Sequence, residues 1–400
     1  MSRSDATILP SPSDWHVVIF VGLAILALPL FGLWIAGYSV ETFFEFPPVT
    51  HPVSHQAFSW TIFGASALSI VCVVGAGIVG RSRTMADDAM SNAGLRLPRA
   101  HFPWWGWLAV VWTLLAWLLA WSRFEWMRPF QTLTFTPLWL GYIAMVNALT
   151  HRRLGHCMLV DRPRYFLSLF PLSAAFWWCF EYLNRFVQNW HYLGGQALPA
   201  TAYFWQATLP FATVLPAVLG TAELISTYRS VTAICGPRLK FEARERLTWG
   251  WSLLAAGGIG LSGLGLWPDY LFPLVWVAPL LLIVGTQMIQ GKPTIFDEAA
   301  EGNWRTLWAV SVGALVCGFF WELWNFYSLS HWEYSLPFVQ GFHLFHMPLL
   351  GYAGYLPFGL ECWAVADLCL ARKFAGGAAY YRASEAATDL AQRKPTVADR

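Results

Sequence analysis

The chain has 400 residues, of which 56% are hydrophobic and only 12% charged, and its formal net charge is +2 at pH 7. An ordinary soluble domain carries about 25% charged residues, so this composition excludes a water-soluble globular protein. The sequence contains no Walker, dinucleotide-binding, nucleophile-elbow or His-Glu-x-x-His motif, so nucleotide-driven transport and the familiar hydrolase classes lack support. It also predicts no cofactor and no nucleic-acid partner.

The apolar residues fall into segments that are long enough to cross a membrane. A transmembrane helix needs roughly 20 predominantly apolar residues, and about ten segments meet this requirement. We therefore predict an all-α, polytopic transmembrane helical bundle. The predicted spans are 15–37, 58–80, 104–122, 133–150, 165–187, 203–226, 248–267, 271–290, 304–327 and 345–371. The first span is expected to be retained, because it is longer than a signal-peptide core and has no evident cleavage site.

The distribution of basic residues predicts the orientation of these spans. Basic residues in short loops are kept on the cytoplasmic side of a membrane. Of the 25 lysine and arginine residues, only Arg123, Arg128 and Arg185 are assigned to loops that follow odd-numbered spans. We therefore expect a multi-pass protein of the cell (inner) membrane with both termini in the cytoplasm.

A series of landmarks recurs in the same order in two parts of the chain, which indicates an internal duplication. Trp105-Gly106-Trp107 matches Trp249-Gly250-Trp251, Pro137 matches Pro279, Glu181 and Asn184 match Glu322 and Asn325, Trp190 and Tyr192 match Trp332 and Tyr334, and Pro210 and Glu223 match Pro348 and Glu361. Each copy holds four predicted spans, so both copies enter the membrane in the same direction. We expect a tandem parallel repeat whose copies are related by an axis along the membrane normal.

The duplication divides the chain into four regions. Residues 1–100 hold two additional helices and a cytoplasmic loop, 101–246 hold the first four-helix repeat, and 247–373 hold the second. Residues 374–400 are expected to form a polar cytoplasmic tail.

Acidic residues inside the predicted spans are the first candidates for catalysis. They are Glu181, Glu223, Glu322 and Glu361. Burying an ionisable group in hydrocarbon costs at least a few kcal/mol unless the group is paired, protonated or hydrated. Asn184 and Asn325 each follow a glutamate by one helical turn, which puts the amide and the carboxyl group on one helix face. Alternatively, the glutamates are hydrogen-bonded struts between helices, with indole N–H groups or asparagine amides as partners.

The last predicted span is interrupted before Glu361 by proline and glycine at positions 348, 351, 354, 357 and 359. Prolines and glycines at this density predict a kink or a short unwound stretch. Such a stretch is tolerated in a membrane mainly where it is buried in protein or lines a cavity. We therefore expect a cavity beside Glu361.

Aromatic and histidine side chains near the glutamates are the predicted substrate-binding residues. They are Trp177, Trp178, Trp321, Trp324, Trp332, Tyr334, His343 and His346. The tryptophans could line an apolar pocket or stabilise a cation by cation–π attraction, and core packing is at least as good an explanation. His343 and His346 would project from one side of a helix and could bind a metal with Glu322 or Glu333. Histidines near an outer interface are more often solvated or hydrogen-bonded, so the sequence predicts no metal site.

Two motifs resemble the membrane lycopene cyclase domain. Trp332-x-Tyr334 is followed by Pro357-Phe-Gly-Leu-Glu361, and that family carries Trp-x-Tyr followed by Pro-x-Glu-Glu in tandem helical repeats. The present chain departs from the family in its single glutamate, which stands further from the proline, and in its larger number of predicted helices. The resemblance implies an intramembrane carboxylic acid that protonates a polyene or isoprenoid.

These patterns leave three functions open. The first is an enzyme that acts on a membrane lipid or a lipid-soluble small molecule, with Glu322 or Glu361 as general acid and base in a Trp-rich pocket. The second is a proton-coupled transporter or permease, in which the glutamates relay protons between pseudo-symmetric halves. The third is a non-catalytic membrane scaffold. The additional polar residues of the second copy favour the enzyme.

Overall fold

The computed structural model describes residues 12–48, 50, 52–91, 100–194, 198–228 and 243–370. Most of these residues are helical, and the strands are few and short, so the predicted all-α class is confirmed. The predicted cytoplasmic tail, 374–400, lies outside the described residues.

The α-helices fall at or near the predicted spans, with several short helices between them. They are α1 (Pro12–Ile35), α2 (Trp60–Ser91), α3 (Trp104–Trp121), α4 (Phe135–Leu154), α5 (Met158–Asp161), α6 (Pro163–Val187), α7 (Ala200–Phe211), α8 (Val214–Ser226), α9 (Ala243–Gly263), α10 (Pro268–Leu271), α11 (Ala278–Ile289), α12 (Asp297–Ala300), α13 (Arg305–Phe326) and α14 (Tyr355–Cys369). The 3₁₀-helices are Glu41–Phe44, Glu125–Leu133, Phe272–Trp276 and Leu349–Gly354. The strands are β1 (Trp190–Leu193), β2 (His331–Tyr334), β3 (His343–Leu344) and β4 (Met347–Pro348).

Five helical segments in the described part of the chain are long and apolar enough to cross a membrane. They are Trp15–Ile35, Trp104–Trp121, Pro163–Val187, Ala200–Ser226 and Arg305–Phe326. The count rises to seven when each of two bent pairs is taken as one span: Glu125–Leu133 with Phe135–Leu154, bent by 67°, and Pro268–Trp276 with Ala278–Ile289, bent by 56°. These segments support a membrane protein. The ten-span count, the choice of membrane and the direction of the termini stay predictions.

The side chains of α3 show how such a helix meets its surroundings. Its buried residues are small ones: Gly106, Ala109, Thr113, Ala116 and Ala120. Its large apolar residues point outward, and Trp104 and Trp107 are 74% and 62% exposed. In water this arrangement would be unfavourable, because large apolar surface would stay hydrated. In lipid it is favourable, since small residues let helix backbones approach closely while large ones face the acyl chains.

Two helix contacts depend on glycine because the backbones nearly touch. A Cβ added at Gly285 of α11 would lie 2.8 Å from the carbonyl oxygen of Gly250 in α9. A Cβ added at Gly313 of α13 would lie 2.9 Å from the backbone nitrogen of Ala222 in α8. Both distances are shorter than real Cβ contacts allow, so a larger residue at either glycine would force the two helices apart.

The last predicted span, 345–371, differs from the structure at its N-terminal end. The α-helix begins only at Tyr355, and the residues before it form the β3–β4 hairpin and the 3₁₀-helix Leu349–Gly354. Pro348 lacks a backbone N–H, and Phe345 has a φ of 58°, so a right-handed helix cannot run through this stretch. The predicted interruption is therefore a break that precedes the helix, rather than a kink within it.

Strands were not predicted, and one pair of them joins the two halves of the chain. β1 follows α6 and β2 follows α13, and the two strands pair in antiparallel orientation. The segment between α1 and α2 packs against the same region, where the Ser335 hydroxyl donates to the carbonyl oxygen of Val53 over 2.9 Å. This hydrogen bond ties the residue that follows β2 to the segment between α1 and α2. The β1–β2 pair carries several of the polar side chains described next.

Candidate functional site

The side chain of Glu322 is completely buried in α13 and accepts two phenol hydrogen bonds. Tyr334 of β2 donates to Glu322 Oε1 over 2.7 Å, and Tyr355 of α14 donates to the same oxygen over 2.8 Å. The indole N–H of Trp332 donates to the Tyr334 hydroxyl over 2.7 Å. We call these four residues the Glu322 centre. Its members come from three elements, so only the folded chain assembles it.

Glu181 in α6 is the middle of a second centre of the same kind. Its Oε1 accepts hydrogen bonds from the Tyr192 hydroxyl over 2.5 Å, from Trp177 Nε1 over 3.1 Å and from Trp190 Nε1 over 3.2 Å. We call these four residues the Glu181 centre. In both centres a Trp-x-Tyr strand supplies a phenol to a glutamate in the preceding long helix. The centres differ because Glu181 accepts directly from two indoles, whereas Glu322 accepts from a second phenol.

Asn184 and Asn325 hold these strands in place through their backbones. Asn325 Nδ2 donates to the carbonyl oxygen of Trp332 over 2.7 Å, and the Trp332 N–H donates to Asn325 Oδ1 over 2.8 Å. Asn184 Nδ2 likewise donates to the carbonyl oxygen of Trp190 over 2.8 Å, and its Oδ1 accepts from the N–H groups of Asn189 and Trp190. Each asparagine therefore acts on the carboxyl group indirectly, by fixing where the strand begins.

The two centres meet across the β1–β2 pair. In its register Trp190 lies opposite Tyr334, and Tyr192 lies opposite Trp332. The tryptophan of each centre thus faces the tyrosine of the other. If Trp190 is exchanged with Trp332 and Tyr192 with Tyr334, the two Trp–Tyr pairs are unchanged, and the pair of His191 and Glu333 lies between them.

Each of these glutamates uses one oxygen and leaves the other without a partner. Within the described part of the chain, Glu181 Oε2 and Glu322 Oε2 are buried and make no hydrogen bond. A buried polar atom without a partner is costly, so each such atom calls for a physical explanation.

Glu361 is also completely buried, on α14, and neither of its carboxyl oxygens has a hydrogen-bond partner among the described residues. It stands six positions after Tyr355 on the same helix, which corresponds to a rise of about 9 Å. We expected an unwound stretch beside Glu361, but Glu361 lies within the continuous helix α14.

Glu223 has a different environment, although the sequence matches it with Glu361. Its Oε1 accepts a charged hydrogen bond from Arg162 over 2.5 Å, and its Oε2 accepts from the backbone N–H of Met158 over 3.1 Å. The carboxylate therefore joins α8 to the short helix α5 and to the start of α6. These contacts are those of a structural anchor, and the predicted catalytic role of Glu223 stays a prediction.

Packed aromatic rings extend from Trp177 of the Glu181 centre to Trp321, the neighbour of Glu322 on α13. The ring centroids of Trp177 and Trp321 are 6.5 Å apart, and Phe358 lies 5.8 Å from the first and 6.3 Å from the second. Trp276 packs on Phe180, with 5.1 Å between the ring centroids. We call these five residues the aromatic cluster. The predicted Trp-rich surroundings of the glutamates are therefore present as packed rings.

Two of the predicted substrate-binding tryptophans lie outside both this cluster and the two glutamate centres. Trp178 stacks on Phe204 of α7 and donates to the Thr208 hydroxyl over 3.0 Å, away from Glu181. Trp324 is 1% exposed and packs on Trp139 of α4, with 5.2 Å between the ring centroids. Both contacts are those of helix packing.

The two predicted histidines do not share a helix face, because they lie on the β3–β4 hairpin. His343 is exposed, and its Nε2 lies 3.3 Å from Gln340 Nε2. His346 instead lies beside His331 and Glu333, and the ligand atoms of these three side chains are within 4.8 Å of one another. The structure therefore brings His346 to two residues of β2, and it does not bring either histidine into contact with Glu322.

Sequence reasoning missed Tyr355 and Trp276 as site residues. It used Trp190 and Tyr192 as landmarks of the duplication but left them out of the predicted site. Their match with Trp332 and Tyr334 was a signal that could have included them. The residues around Tyr355 in the sequence do not indicate its role, because its phenol hydroxyl donates to Glu322 from a different helix.

The phenol of Tyr334 lies outside the membrane-spanning segments and is held in its neutral form. Burial, and next the nearby Glu322 carboxyl group, raise the pKa of Tyr334 well above its ordinary value. Burial and the Glu181 carboxyl group raise the pKa of Tyr192 in the same way. Both phenols therefore act as hydrogen-bond donors over the physiological pH range.

An open apolar groove of 660 Å³ lies elsewhere, between α3 and α4. Trp105, Trp112 and Leu140 are among its lining residues, and none of the predicted site residues lines it. The expected cavity beside Glu361 is thus not this groove. No protein-family model, no curated protein and no solved structure matches the chain.

Proposed function

We propose that this protein is a multi-pass enzyme of the cell membrane that acts on a lipid-soluble substrate, with Glu322 as general acid and base. One observation carries the proposal: two phenols hold Oε1 of Glu322, while Oε2 is buried and has no partner among the described residues. A group with only a packing role would gain stability by pairing both oxygens, as Glu223 does.

The hydrogen bonds on Oε1 determine which oxygen carries the acidic proton. In a neutral carboxyl group the carbonyl oxygen accepts hydrogen bonds and the hydroxyl oxygen holds the proton. With Tyr334 and Tyr355 both donating to Oε1, the proton of Glu322 belongs on Oε2. The acidic proton is thus on the oxygen that is free to react.

The resemblance to the lycopene cyclase domain suggests a carbon–carbon double bond as the proton acceptor. Glu322 Oε2 gives its proton to one alkene carbon, and the adjacent carbon becomes a cation. The two phenols stabilise the carboxylate formed, because hydrogen bonds to an ionised acceptor are stronger. The carboxylate then removes a proton from a carbon next to the cation, which gives an isomerisation of the double bond. In a cyclisation, a second double bond of the substrate first adds to the cation, which forms the ring bond and moves the positive charge, and the proton is then lost next to the new cation. Neither reaction involves oxidation or reduction.

The aromatic cluster supports this chemistry. The face of an indole ring attracts a cation, and the attraction is larger where water is excluded. Trp321 is 5% exposed and stacks on Tyr355, with 5.8 Å between the ring centroids. A cation formed beside Glu322 would lie against this ring. We assign Glu361, the other fully buried carboxyl group of the second copy, as a second proton donor or acceptor.

The proposal includes ten spans in a tandem parallel repeat, with both termini in the cytoplasm. The support is the matched pattern of the two centres, in which a glutamate accepts from the tyrosine of a Trp-x-Tyr strand and an asparagine holds the tryptophan backbone. Accessibility of single cysteines to a membrane-impermeant reagent tests the topology. Cysteines placed at positions 4 and 398 should react with this reagent only after the membrane has been permeabilised.

A comparison of lipid extracts tests the enzyme. Cells that express the protein should contain a lipid or isoprenoid species that is absent or rarer in cells without it. Glu322→Gln and Glu361→Gln keep the size of the side chain but remove its acidic proton, so both should abolish the difference. Glu301→Gln, at an exposed glutamate, is the control and should preserve it. Unchanged lipid composition, or full activity in both buried variants, would overturn the assignment.

The match between the two centres favours a second candidate, a proton-coupled transporter. Two similar glutamates, whose hydrogen-bond donors face each other across β1 and β2, could pass a proton between pseudo-symmetric halves. Purified protein in lipid vesicles would then show proton flux with no chemical product, and Glu181→Gln would reduce this flux as much as Glu322→Gln. The absence of both a product and a flux would favour a non-catalytic scaffold.

A further inference from the structure

We propose that His331, Glu333 and His346 bind a divalent transition-metal ion, of which Zn²⁺ suits the ligand set best. Two imidazole nitrogens and a carboxylate oxygen are a common zinc ligand set, and a water molecule can take the fourth position. The three side chains come from β2 and from the hairpin formed by β3 and β4. This proposal does not depend on the function proposed above.

The atoms that face one another are the ones a metal ion would bind. His331 Nε2 lies 3.8 Å from Glu333 Oε1, and His346 Nδ1 lies 4.0 Å from the same oxygen. Both distances are too long for hydrogen bonds. The two imidazole rings are nearly parallel, with 18° between their planes and 5.3 Å between their centroids. Three ligand atoms thus converge on one point without bonding to each other.

The opposite ring nitrogens determine which histidine atoms are free to bind a metal. His331 Nδ1 lies 3.3 Å from the carbonyl oxygen of Leu329, and His346 Nε2 lies 3.3 Å from the carbonyl oxygen of Phe326. A carbonyl oxygen only accepts, so each of these nitrogens carries the hydrogen. A zinc-binding imidazole is neutral, and in that form the facing nitrogen of each ring presents its lone pair to Glu333. Metal-binding histidines are characteristically oriented in this way by a hydrogen bond to a backbone carbonyl or carboxylate.

Three acceptors that face each other repel unless a cation lies between them. In tetrahedral zinc sites the metal stands roughly 2.0–2.2 Å from nitrogen and oxygen ligands, which puts neighbouring ligand atoms about 3.3 Å apart. The side chains of His331 and His346 are 22% and 23% exposed and that of Glu333 is 41% exposed, so rotation about their side-chain bonds can close the remaining gap. The same exposure gives the ion a path to the site.

The second carboxylate oxygen of Glu333 is directed across the sheet. His191 of β1 lies opposite Glu333 in the strand register, and its Nε2 is 3.9 Å from Glu333 Oε2. At that distance the two atoms are not hydrogen-bonded, and Glu333 Oε1 is the oxygen that faces His331 and His346. A bound ion would therefore link the hairpin to β2, the strand whose Tyr334 donates to Glu322.

Zinc titration of the purified chain, prepared without a polyhistidine tag and stripped with a chelator, tests the proposal. Competition with a chromophoric chelator should give one zinc ion per chain. His331→Ala, His346→Ala and Glu333→Gln should each weaken binding by at least about tenfold, because each removes one of three protein ligands. His343→Ala is the matched control, since His343 is an exposed histidine on the same hairpin that lies apart from the cluster.

A spectroscopic measurement keeps the test valid if a variant fails to fold. X-ray absorption of the zinc-loaded wild-type chain should show only nitrogen and oxygen ligands, with the scattering pattern of two imidazole rings. Zinc should also raise the melting temperature of the wild-type chain more than that of His346→Ala. Binding that is equally weak in the wild type and in the variants, sulfur among the ligands, or an equal loss in His343→Ala would overturn the proposal. Affinity should fall with decreasing pH, because the imidazole nitrogens must be deprotonated to bind.

Discussion

Trp190 lies opposite Tyr334 in the β1–β2 pair, so the indole that donates to Glu181 and the phenol that donates to Glu322 stand on neighbouring strands. A displacement of either strand would therefore move donors in both centres. The two glutamates are far apart in sequence, and the paired strands bring hydrogen-bond partners of both side by side. We expect the two centres to respond together when the strands are disturbed.

Tyr334→Phe should lower the free energy of unfolding in detergent by about 1–3 kcal/mol, because it removes a hydrogen bond to a buried carboxyl group and leaves the Trp332 indole without its acceptor. Chemical denaturation followed by tryptophan fluorescence measures the change. Tyr270→Phe, at a tyrosine that is 66% exposed, is the control and should change the stability by less than about 0.5 kcal/mol. Equal effects of the two substitutions would show that the Tyr334–Glu322 bond contributes nothing.

Asn184→Ala and Asn325→Ala should each destabilise the protein by about 1–3 kcal/mol, since they leave backbone groups of the buried Trp190 and the half-buried Trp332 unpaired. The effects should not add in the double variant, because the strands that they hold are paired with each other. Contacting sites show coupling energies of about 0.5–3 kcal/mol in double-mutant cycles. A coupling energy near zero would mean that β1 and β2 behave independently.

Glu223→Gln should destabilise the protein by about 1–3 kcal/mol, because it removes the negative charge that pairs with Arg162 in a mostly buried setting. The loss should be larger than that of Glu41→Gln, at an exposed glutamate in the segment between α1 and α2. Thermal unfolding in detergent compares the two. If Glu223→Gln is as stable as the wild type, Glu223 is not the structural anchor that its contacts indicate.

Gly313→Ala should destabilise the protein by about 1–3 kcal/mol, because the added methyl group would overlap the backbone of Ala222 in α8. Gly22→Ala is the matched control in α1, where an added Cβ has no neighbour within 4 Å. Alanine is the better helix former by about 1 kcal/mol, so the control should be neutral or slightly stabilising. The difference in melting temperature between the variants measures the close contact of α8 and α13 directly.

The prediction of the helical elements was most accurate where the signal was local. The predicted span 104–122 corresponds to α3 and the predicted span 304–327 to α13, within a few residues. The prediction was wrong at 345–354, where a hairpin and a 3₁₀-helix replace the expected α-helix. The length of the apolar segment could not distinguish a hairpin and a 3₁₀-helix from an α-helix, because hydropathy does not indicate the left-handed backbone conformation of Phe345.

The choice of partners for the four glutamates could be predicted only in part. The matched Glu, Asn and Trp-x-Tyr landmarks indicated two related environments, and the hydrogen bonds around Glu181 and Glu322 share that pattern. The same reasoning matched Glu223 with Glu361, but one is paired with Arg162 and the other has no partner in the described part of the chain. Spacing along a helix does not determine which distant charge a side chain will meet.

The sequence by itself indicated that the protein is an all-α membrane protein. It has too few charged residues to cover a surface that faces water, and its apolar segments are long enough to form helices in lipid. Only the tertiary structure decided which donors hold Glu322 and that His346 joins His331 and Glu333. Hydropathy is a sum over neighbours in the chain, whereas a hydrogen bond or a metal ligand set requires atoms from distant segments to meet within a few ångströms.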